Sequence, residues 1–579
     1  MPHHPLPKKI IRRALADSTH LSHLPPLLRR VYLARELQDP EHLERSLSKL
    51  PSPWLLSGMD TMVAELMDAI RTGQRIVIVA DFDADGATSC VVAMLGLKAM
   101  GARNVGYLVP NRFEYGYGLT PEIVAVAAES RPDVLVTVDN GIASIEGVRA
   151  ARERGIKVLV TDHHLPGKEL PAAAAIVNPN LAGDGFPSKA LAGVGVMFYV
   201  LMALRSRLRD SGWFAEHDLP EPNLGQLLDL VALGTVADVV PLDHINRILV
   251  HQGLQRIRSG QARPGIVALL EIANRTPKSV SATDLGFAVG PRLNAAGRLE
   301  DMSLGIECLL AEDVATARTL ATQLDGLNRD RREIEDQMKL DAHAILEQLA
   351  SRPGGNDRAG WCLFQDDWHQ GVIGILASRM KDRLHRPVIA FAPAGNGDIK
   401  GSARSIPGVH IRDVLSDIAA AHPELLTKFG GHAMAAGLSL KREDFPRFAR
   451  LFDQEVAKRL QGMDLDHVLH SDGELDYQDI RMDNAEMLQQ AGPWGQSFPE
   501  PLFDGEFEVL QCRIVGERHL KWLLQTVKGK RMVDAISFFV DDPAAWLGCR
   551  HLKMAYRLDV NEYRDNRSLQ LRIEYMEGQ

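Results

Sequence analysis

Short apolar runs alternate with amphipathic stretches between about residue 70 and residue 180 of the chain. Each apolar run has the length of a strand, and the stretches between the runs have the length of a helix. This alternation is typical of βαβ units and of a mostly parallel sheet, whose functional loops gather at the carboxyl ends of the strands. We therefore predict an α/β domain with strands at 75–80, 104–109, 133–138, 156–161 and 174–178 and helices near 86–100, 121–130 and 144–154.

Helical periodicity dominates the next part of the chain. Apolar residues predict helices over 193–208, 224–234 and 245–257. Around 312–350 they recur at spacings of three and four, which predicts one long connecting helix that Gly326 and the seam position Arg331 weaken locally.

The pattern then changes twice. A second α/β block is predicted from strands at 361–365, 387–392 and 398–404 and a helix at 371–384. After about residue 465 only short β segments remain, and their spacing favours a small barrel, most simply an OB-fold. These segments lie at 507–509, 522–527, 535–540, 555–560 and 569–575.

The first 60 residues are rich in proline and carry the pairs Arg12-Arg13 and Arg29-Arg30. We expect helical turns or an adapter there rather than a core. The N-terminus lacks the apolar stretch of a secretory signal, and no apolar run approaches the length of a membrane span, so we expect no membrane association.

The composition is that of a globular protein, with 45% hydrophobic and 24% charged residues in 579. Five scattered cysteines without a C-x-x-C pair point to a reducing compartment, so we expect a cytoplasmic protein. The net charge of −9 opposes a generally basic coat for nucleic acid. It does not exclude a local basic groove, because binding depends on local charge.

The acidic segment Asp81-Phe82-Asp83-Ala84-Asp85-Gly86 directly follows the first predicted strand. Carboxylates at alternate positions point the same way along an extended backbone, and their repulsion favours a divalent cation. A solvated acidic turn is the alternative. An EF-hand loop fails, because Val92 stands where that loop needs an acid and a strand replaces the incoming helix.

Three further acidic motifs follow apolar segments. Asp139-Asn140-Gly141 and Asp162-His163-His164 end predicted strands, and Asp238 ends an apolar helix. Taken singly, each is compatible with a turn, a helix cap or a loop acid. Together they place oxygen ligands and imidazoles at one sheet edge, which suits Mn²⁺ or Mg²⁺ better than structural zinc. Two such ions promote phosphoryl displacement, so we predict a metal-dependent phosphoesterase.

These motifs resemble the four motifs of the DHH phosphoesterase superfamily. The second block strengthens the resemblance, because Gly430-Gly431-His432 is similar to the signature of the DHHA1 domain. Its companion segments are Gly401 to Ser405 and Trp368 to Gly374, and the segment Gly290 to Arg298 adds to the resemblance of the whole chain. With the barrel, residues 60–579 resemble the single-strand-specific 5′→3′ exonucleases of bacteria within that superfamily.

The resemblance implies roles for the acidic residues. Asp83 and Asp139 would hold one ion, and the second would be held by Asp85, Asp139, His163 and Asp238, with Asp139 bridging. Asp162 would orient His163, and His164 would lie nearer the scissile phosphate. Asp81 is left a supporting role. Val79-Ala80 stand where related pyrophosphatases carry an upstream histidine ligand, so the ligands of the first ion do not transfer one-to-one from that branch.

Candidate residues for binding the DNA strand lie elsewhere. Gly431 and His432 suit phosphate binding or transition-state stabilisation, with a glycine-rich turn as the alternative. Arg112, Arg298 and Arg404 are candidates for the backbone or the 5′-phosphate, and each is also compatible with a surface or ion-pair role. Further candidates are the rings of Phe113, Tyr115, Tyr117 and Trp522, which can stack bases or pack, and the barrel's basic and aromatic residues Lys521, Lys528, Lys530, Arg531, Tyr556 and Arg572.

The resemblance implies hydrolysis of single-stranded DNA to mononucleotides in repair and recombination, with single-strand-binding protein and a RecQ-type helicase as partners. A phosphodiesterase for short oligonucleotides, cyclic dinucleotides or pyrophosphate is one alternative, and an inactive replication scaffold is another. The barrel argues against the first alternative, and the intact ligand set argues against the second.

The expected domains are an extension (1–60), a DHH domain (61–260), a helical connector (261–350), a DHHA1 domain (351–464) and an OB-like domain (465–579).

Overall fold

The computed structural model of the protein describes residues 8–17, 20–111, 114–115, 118–350, 358–463, 467–563 and 566–578. These residues divide into two compact units. The smaller contains Lys8 and Lys9 with the described part of Gly326–Leu469, and the larger contains that of Ile10–Asp325 and His470–Gln579.

A parallel sheet of five strands lies at the centre of the larger unit, as the apolar runs predict. Two strands, Ile76–Ala80 and Val134–Val138, are buried along their whole length, which explains their continuous apolar sequence. Across the sheet the strands are Val105–Leu108, Ile76–Ala80, Val134–Val138, Lys157–Thr161 and Ala175–Val177.

The register of this sheet aligns the carboxyl ends of three strands. Ala80 pairs with Val138, and Val138 pairs with Thr161. The residue after each strand is an aspartate, so three acidic loops leave the sheet side by side.

Helices cover this sheet and fill the rest of the first half of the larger unit. The three helices predicted between the strands are present, and the helices predicted within 193–260 are also present. Ala84–Ala99 is apolar on all sides because it is buried between the sheet and two later helices. The helices are Pro26–Leu33, Met59–Thr72, Ala84–Ala99, Pro121–Glu129, Ile145–Glu153, Gly193–Asp210, Trp213–Glu216, Leu228–Ala237, His244–Arg258, Pro264–Ile272, Ala282–Asp284, the π-helix Leu285–Val289, Gly290–Leu299 and Ser303–Leu310.

The N-terminal segment is more deeply packed than the sequence predicts. Leu21 and Val31 are fully buried, and Leu27 and Val31 belong to the apolar core of the C-terminal barrel. The expectation that this segment has no part in a core is therefore wrong. Its proline-rich composition produces short 3-10 turns at Pro40–Leu43, Leu47–Lys49 and Pro53–Leu55.

The long connecting helix is confirmed as Val314–Ala350, without a break. Gly326 is tolerated because a Cβ there would meet no described atom within 4 Å, so the glycine costs only its helix propensity of about 1 kcal/mol. Arg331 lies in the apolar seam because Glu335, one turn later, accepts a hydrogen bond from its Nη1 at 3.0 Å.

The smaller unit contains a five-stranded mixed sheet, and the predicted second α/β block is confirmed. Two of its strands, Lys428–Gly431 and Ala435–Lys441, form a hairpin that the sequence did not reveal, because glycine and alanine give little strand signal. The other strands of this sheet are Trp361–Phe364, Val388–Gly395 and Asp398–Arg404, and the helices of the unit are Ile373–Leu384, Ile411–Ala421 and Phe445–Leu460. Two further strands, Lys8–Arg12 and His467–Ser471, pair with each other and belong in part to each unit.

The C-terminal part of the larger unit is the predicted five-stranded closed barrel. Four strand pairings are antiparallel, and one parallel pair, Met532–Ser537 with Asn566–Gly578, closes it. The remaining strands are Phe503–Val515, His519–Thr526 and His551–Tyr563, and the helix Met482–Ala491 precedes them. Across the described ranges of both units, no helix combines the length and the apolar character that a membrane span requires.

Candidate metal centre

Asp81 and Asp83 lie in the loop between the first sheet strand and the helix Ala84–Ala99. Asp83 caps that helix, because its Oδ1 accepts the backbone N–H groups of Asp85 at 2.9 Å and Gly86 at 3.0 Å. Asp81 Oδ1 accepts the N–H of Phe82 at 2.7 Å. Each carboxylate is therefore oriented by the backbone, and each keeps a second oxygen beyond these bonds.

Asp139 leaves the neighbouring strand in a left-handed conformation, with φ of 61°. The next residue, Asn140, donates its side-chain N–H groups to the carbonyls of Val79 at 3.0 Å and Val138 at 2.9 Å. It thereby ties the ends of two strands together. The Asp139 turn is thus fixed relative to the acidic loop that begins at Asp81.

Asp85 is buried at the N-terminus of the helix Gly193–Asp210. Its two oxygens accept the N–H groups of Gly193 at 2.6 Å and Val194 at 3.0 Å. Burial, followed by the charge of Asp83, raises the pKa of Asp85 to about 7 despite these bonds. A cation at this position would remove the cost of the buried charge.

His163 points between two further carboxylates. Its Nε2 lies 3.1 Å from Asp139 Oδ1 and 3.4 Å from Asp238 Oδ2. Burial, and then the charges of Asp85 and Asp83, raise the pKa values of Asp139 and Asp238 well above the usual range. So many carboxylates in one buried site repel each other strongly without a counter-charge.

Three groups of side chains have ligand atoms within 4.8 Å of one another, and all three fit a divalent cation. Asp139 and His163 each belong to two of the groups. The donors are carboxylate oxygens and imidazole nitrogens without cysteine, a set that suits Mn²⁺ or Mg²⁺. The groups are Asp81 with Asp83 and Asp139, Asp85 with His163 and Asp238, and Asp139 with His163 and His164.

Asp81 belongs to the same possible cation site as Asp83 and Asp139, because ligand atoms of the three carboxylates lie within 4.8 Å of one another. From the sequence we expected only a supporting role for Asp81.

Asp162 orients the ring of His164, whereas the resemblance assigns it to His163. Asp162 Oδ1 lies 2.7 Å from His164 Nδ1 and accepts the backbone N–H of His163 at 2.7 Å. Its Oδ2 accepts the N–H of Ile142 at 2.9 Å. Burial alone would raise the pKa of Asp162, but the His164 bond and the others outweigh it and the pKa is lowered.

His164 is the complementary half of this pair. Burial disfavours its charged form, but the hydrogen bond and the charge of Asp162 outweigh burial and raise the pKa of His164 to about 9. Asp162 binds Nδ1 of His164 and so fixes the orientation of the ring.

The segment Gly290–Arg298 supports the acidic loop, a role that sequence reasoning missed. Asn294 Oδ1 accepts the N–H of Ala84 at 2.8 Å. A Cβ at Gly297 would lie 1.8 Å from the carbonyl oxygen of Phe82, so only glycine fits. The small residues of this segment allow another stretch of backbone to approach closely, and that stretch is the acidic loop.

Comparisons with known proteins agree with this geometry. Residues 75–235 match the DHH family, N-terminal domain, residues 357–458 match the DHHA1 domain, and residues 471–575 match the RecJ OB domain. The single-stranded-DNA-specific exonuclease RecJ of Dickeya dadantii is 56% identical over 98% of both chains. The chain belongs to the RecJ family. The RecJ of Escherichia coli is 54% identical over 97% of this chain and 98% of its own length.

Solved RecJ structures share the fold. The crystal structure of RecJ in complex with Mn²⁺ from Thermus thermophilus covers 98% of this chain and 79% of its own, with 29% identity and a TM-score of 0.79. A second, of exonuclease RecJ bound to manganese, is 34% identical, covers 72% of this chain and 99% of its own, and has a TM-score of 0.59.

The DNA-binding candidates of this RecJ-family chain in the larger unit have different placements. Arg112, Phe113 and Tyr117 lie outside the described residues. Tyr115 is half-buried and packs against the apolar core beneath the sheet, the alternative to base stacking. Arg298 is half-buried near the end of the helix Gly290–Leu299, one turn beyond Asn294.

Two of the candidates in the smaller unit, Arg404 and Gly431, lie on the two strands that flank Ala435–Lys441. Arg404 pairs in register with Ala435, and Gly431 pairs with Ala436. The Arg404 guanidinium donates to Ser402 Oγ at 3.1 Å and packs beside Gly374, and burial lowers its pKa. His432 is exposed at the turn of the same hairpin.

The prediction that Trp522 binds DNA is wrong. The side chain is 1% exposed in the barrel core and donates its Nε1–H to Ser537 Oγ at 3.1 Å. Along the strand His519–Thr526 every second residue is buried, and Trp522 has the inward parity. Tyr556, at 1% exposure, is also a core residue.

Proposed function

We propose that this chain is a metal-dependent 5′→3′ exonuclease specific for single-stranded DNA, which releases 5′-mononucleotides in DNA repair and recombination. The observation that carries this proposal is the convergence of Asp83, Asp85, Asp139, His163 and Asp238 at one sheet edge, in a chain of the RecJ family.

In this proposal Asp83 and Asp139 hold one Mn²⁺ or Mg²⁺ ion, and Asp81 joins them. Asp85, Asp139, His163 and Asp238 hold the second ion. Two such ions supply an activated water nucleophile and stabilise the leaving oxygen of a phosphodiester. The backbone bonds to Asp83 and Asp85 orient their carboxylates before any ion binds, which lowers the cost of assembling the site.

The pair Asp162–His164 acts on the substrate side of the site. Asp162 binds Nδ1 of His164 and fixes the orientation of the ring. The Nε2–H of the same ring then donates a hydrogen bond to an oxygen of the scissile phosphate. This contact stabilises the charge that develops on that oxygen during displacement.

Contacts with the strand come from groups outside the metal centre. Arg112 and Arg298, with Phe113, hold the backbone and bases near the site. Arg404, Gly431 and His432 bind phosphate, and a joint role is supported by the pairing of Arg404 and Gly431 with adjacent residues of one strand, Ala435 and Ala436. Guanidinium groups and backbone N–H groups are both suited to phosphate oxygens.

Partners and compartment follow from the substrate. We place the protein in the cytoplasm, where DNA is accessible, with single-strand-binding protein and a RecQ-type helicase as partners. The closed barrel and the match to the RecJ OB domain favour a polymeric single strand over a small phosphodiester. The intact acidic cluster disfavours an inactive scaffold.

The test is the digestion of single-stranded and duplex DNA, labelled at the 5′ end, with Mn²⁺ or Mg²⁺. We expect the wild type to release labelled mononucleotide from the single strand only, and Asp83→Ala to release none. Asp336→Ala, which removes a carboxylate that is 72% exposed on the long helix, is the matched control and should keep full activity. Equal activity of Asp83→Ala and wild type, or equal digestion of duplex, would overturn the proposal.

A further inference from the structure

Three rings gather at one end of the barrel, on its outer surface. Phe538 is 47% exposed and Phe539 is 73% exposed. The ring of His519 meets both edge-on, with centroid distances of 5.3 Å and 4.9 Å. We call His519, Phe538 and Phe539 the ring cluster. Exposed phenylalanines in this arrangement are costly in water unless something covers them.

The backbone holds the ring cluster in place. Phe539 has a left-handed φ of 55°, which is uncommon for a bulky residue, and its N–H donates to His519 Nδ1 at 3.1 Å. The next N–H, of Val540, donates to the carbonyl of Arg518 at 2.8 Å, and Val540 packs against the barrel core. The two rings are therefore directed outward by an ordered turn, and the strain at Phe539 suggests a functional constraint.

Two cations lie in the row beside the ring cluster. Arg513 pairs in register with Lys521, and Lys521 pairs with Ile536 on the next strand. His519 is two residues from Lys521 on the same strand, so both point to the same face. On the outer face of the barrel, Arg513 and Lys521 on two adjacent strands thus lie one position along from the row that contains His519.

The charges of these two cations are not neutralised by neighbours. Neither Arg513 nor Lys521 forms an ion pair with a residue that the structure describes. By contrast, two of the barrel cations predicted from the sequence are paired, Lys530 with Glu508 at 2.6 Å and Arg572 with Glu500 at 3.1 Å. The free positive charge lies beside the rings.

We propose that the ring cluster is a stacking platform for bases of single-stranded DNA and that Arg513 and Lys521 contact the adjacent phosphates. This inference rests on the proposed function, and it identifies the barrel face that holds the strand. Aromatic faces with neighbouring cations are what a single strand requires, because every base has a π-face and every nucleotide has a phosphate. A duplex hides its bases, so the platform also favours single strands.

The first test measures binding of a fluorescent oligothymidylate to the full-length protein in EDTA, where no hydrolysis occurs. Phe538→Ala/Phe539→Ala should raise the Kd about tenfold or more, since base stacking of this kind contributes several-fold to a hundredfold per base. Phe538→Tyr/Phe539→Tyr keeps both rings and should retain wild-type affinity. Met532→Ala removes a 63% exposed side chain at the start of the strand that leads into the ring cluster and is the matched control.

The second test needs no variant in the platform. An oligonucleotide with 5-iododeoxyuridine is photo-cross-linked to the wild type, and we expect the adduct on the peptide that contains Phe538 and Phe539.

A third test addresses the phosphate contacts. Arg513→Gln/Lys521→Gln should flatten the dependence of log Kd on log salt by about 0.7 for each lost phosphate contact.

The proposal is overturned if Phe538→Ala/Phe539→Ala binds like the wild type, if Met532→Ala weakens binding equally, or if cross-links avoid the ring cluster. An unchanged salt dependence would overturn the phosphate contacts. A protein that binds DNA through the platform but does not cleave it would instead refute the proposed function. The two failures are therefore distinguishable.

Discussion

Gly193 leaves the space that the carboxylate of Asp139 occupies. A Cβ at position 193 would lie 2.6 Å from Asp139 Cβ and 2.7 Å from its Oδ1. The N–H of the same glycine donates to Asp85 Oδ2 at 2.6 Å. One small residue thus positions two carboxylates of the metal centre, although it binds no metal itself.

Gly193→Ala should therefore inactivate the enzyme without unfolding it. The added methyl group must displace Asp139, and a misplacement of about 1 Å at a reacting centre costs about a hundredfold in rate. We expect kcat on single-stranded DNA to fall by that factor and Mn²⁺ affinity, measured by calorimetry, to weaken with it. Gly195→Ala is the control in the same helix, because the atoms nearest to its Cβ would belong to the Leu191 side chain, at 3.3 Å or more. Equal kinetics for the two variants would contradict the argument.

Asn294→Ala should weaken metal binding from a distance. The substitution leaves the N–H of Ala84 without its acceptor, and an unsatisfied buried donor costs about 1–3 kcal/mol. The acidic loop then relaxes, so the Mn²⁺ concentration for half-maximal activity should rise about tenfold to a hundredfold. The matched control is Asn104→Ala, which removes an exposed bond to the Gly73 carbonyl and should leave that concentration unchanged. A loss of activity that excess Mn²⁺ does not reverse would argue against loop positioning.

Asp162→Asn should separate catalysis from metal binding. Every hydrogen-bonding partner of this carboxylate described above acts as a donor, so an amide leaves one of its contacts mismatched and His164 loses its fixed orientation. We expect kcat to fall about tenfold to a hundredfold, the range for lost supporting contacts at metal sites. Mn²⁺ affinity should change little, because the ring of His163 lies beside Asp139 and Asp238. Asp238→Asn, by contrast, should mainly weaken Mn²⁺ affinity. Similar losses of Mn²⁺ affinity in both variants would refute the assignment of Asp162 to the orientation of His164.

The sheet and the acidic edge were predictable from the sequence, because buried parallel strands are continuous apolar runs and their loops share one edge. The partner of Asp162 was not, since His163 and His164 are adjacent and only the backbone turn decides between them. Asn294 was equally hidden, because its contact to Ala84 joins residues 210 positions apart.

The barrel was predictable as a class, but the direction of its side chains was not. The sequence favoured Trp522 for DNA binding because a tryptophan among lysines gives the same pattern on either face of a strand. Register decides the face, and a shift of one residue reverses it. Burial alternates along the strand from His519 onward, so His519 and Lys521 point outward and Trp522 points inward.

Trp522→Ala should consequently act on stability and not directly on DNA. Removal of a fully buried tryptophan typically costs about 3–5 kcal/mol through lost burial and the cavity left behind. We expect a lower Tm by calorimetry, while Trp522→Phe keeps most of the packing and binds single-stranded DNA with wild-type affinity. A weaker Kd for Trp522→Phe with an unchanged Tm would restore the sequence-based role.

Acid sensitivity should come in part from His251, which is half-buried in the helix His244–Arg258. Burial, and then the charges of Arg45 and Arg258, lower the pKa of His251 to about 4 in the folded chain. The unfolded chain has the ordinary histidine pKa of about 6.5. Between these values the unfolded state binds more protons, so the stabilisation is complete above the higher value and is lost as pH falls towards the lower one.

His251→Gln removes this titration, so the drop in Tm between neutral pH and about pH 5 should be smaller in the variant than in the wild type. His20→Gln, at an exposed position in the same unit, should leave the drop unchanged and serves as the control. Parallel Tm–pH curves for wild type and His251→Gln would show that the imidazole is protonated equally in both states. Such a result would mean that burial and the charges of Arg45 and Arg258 do not keep His251 neutral in the folded chain.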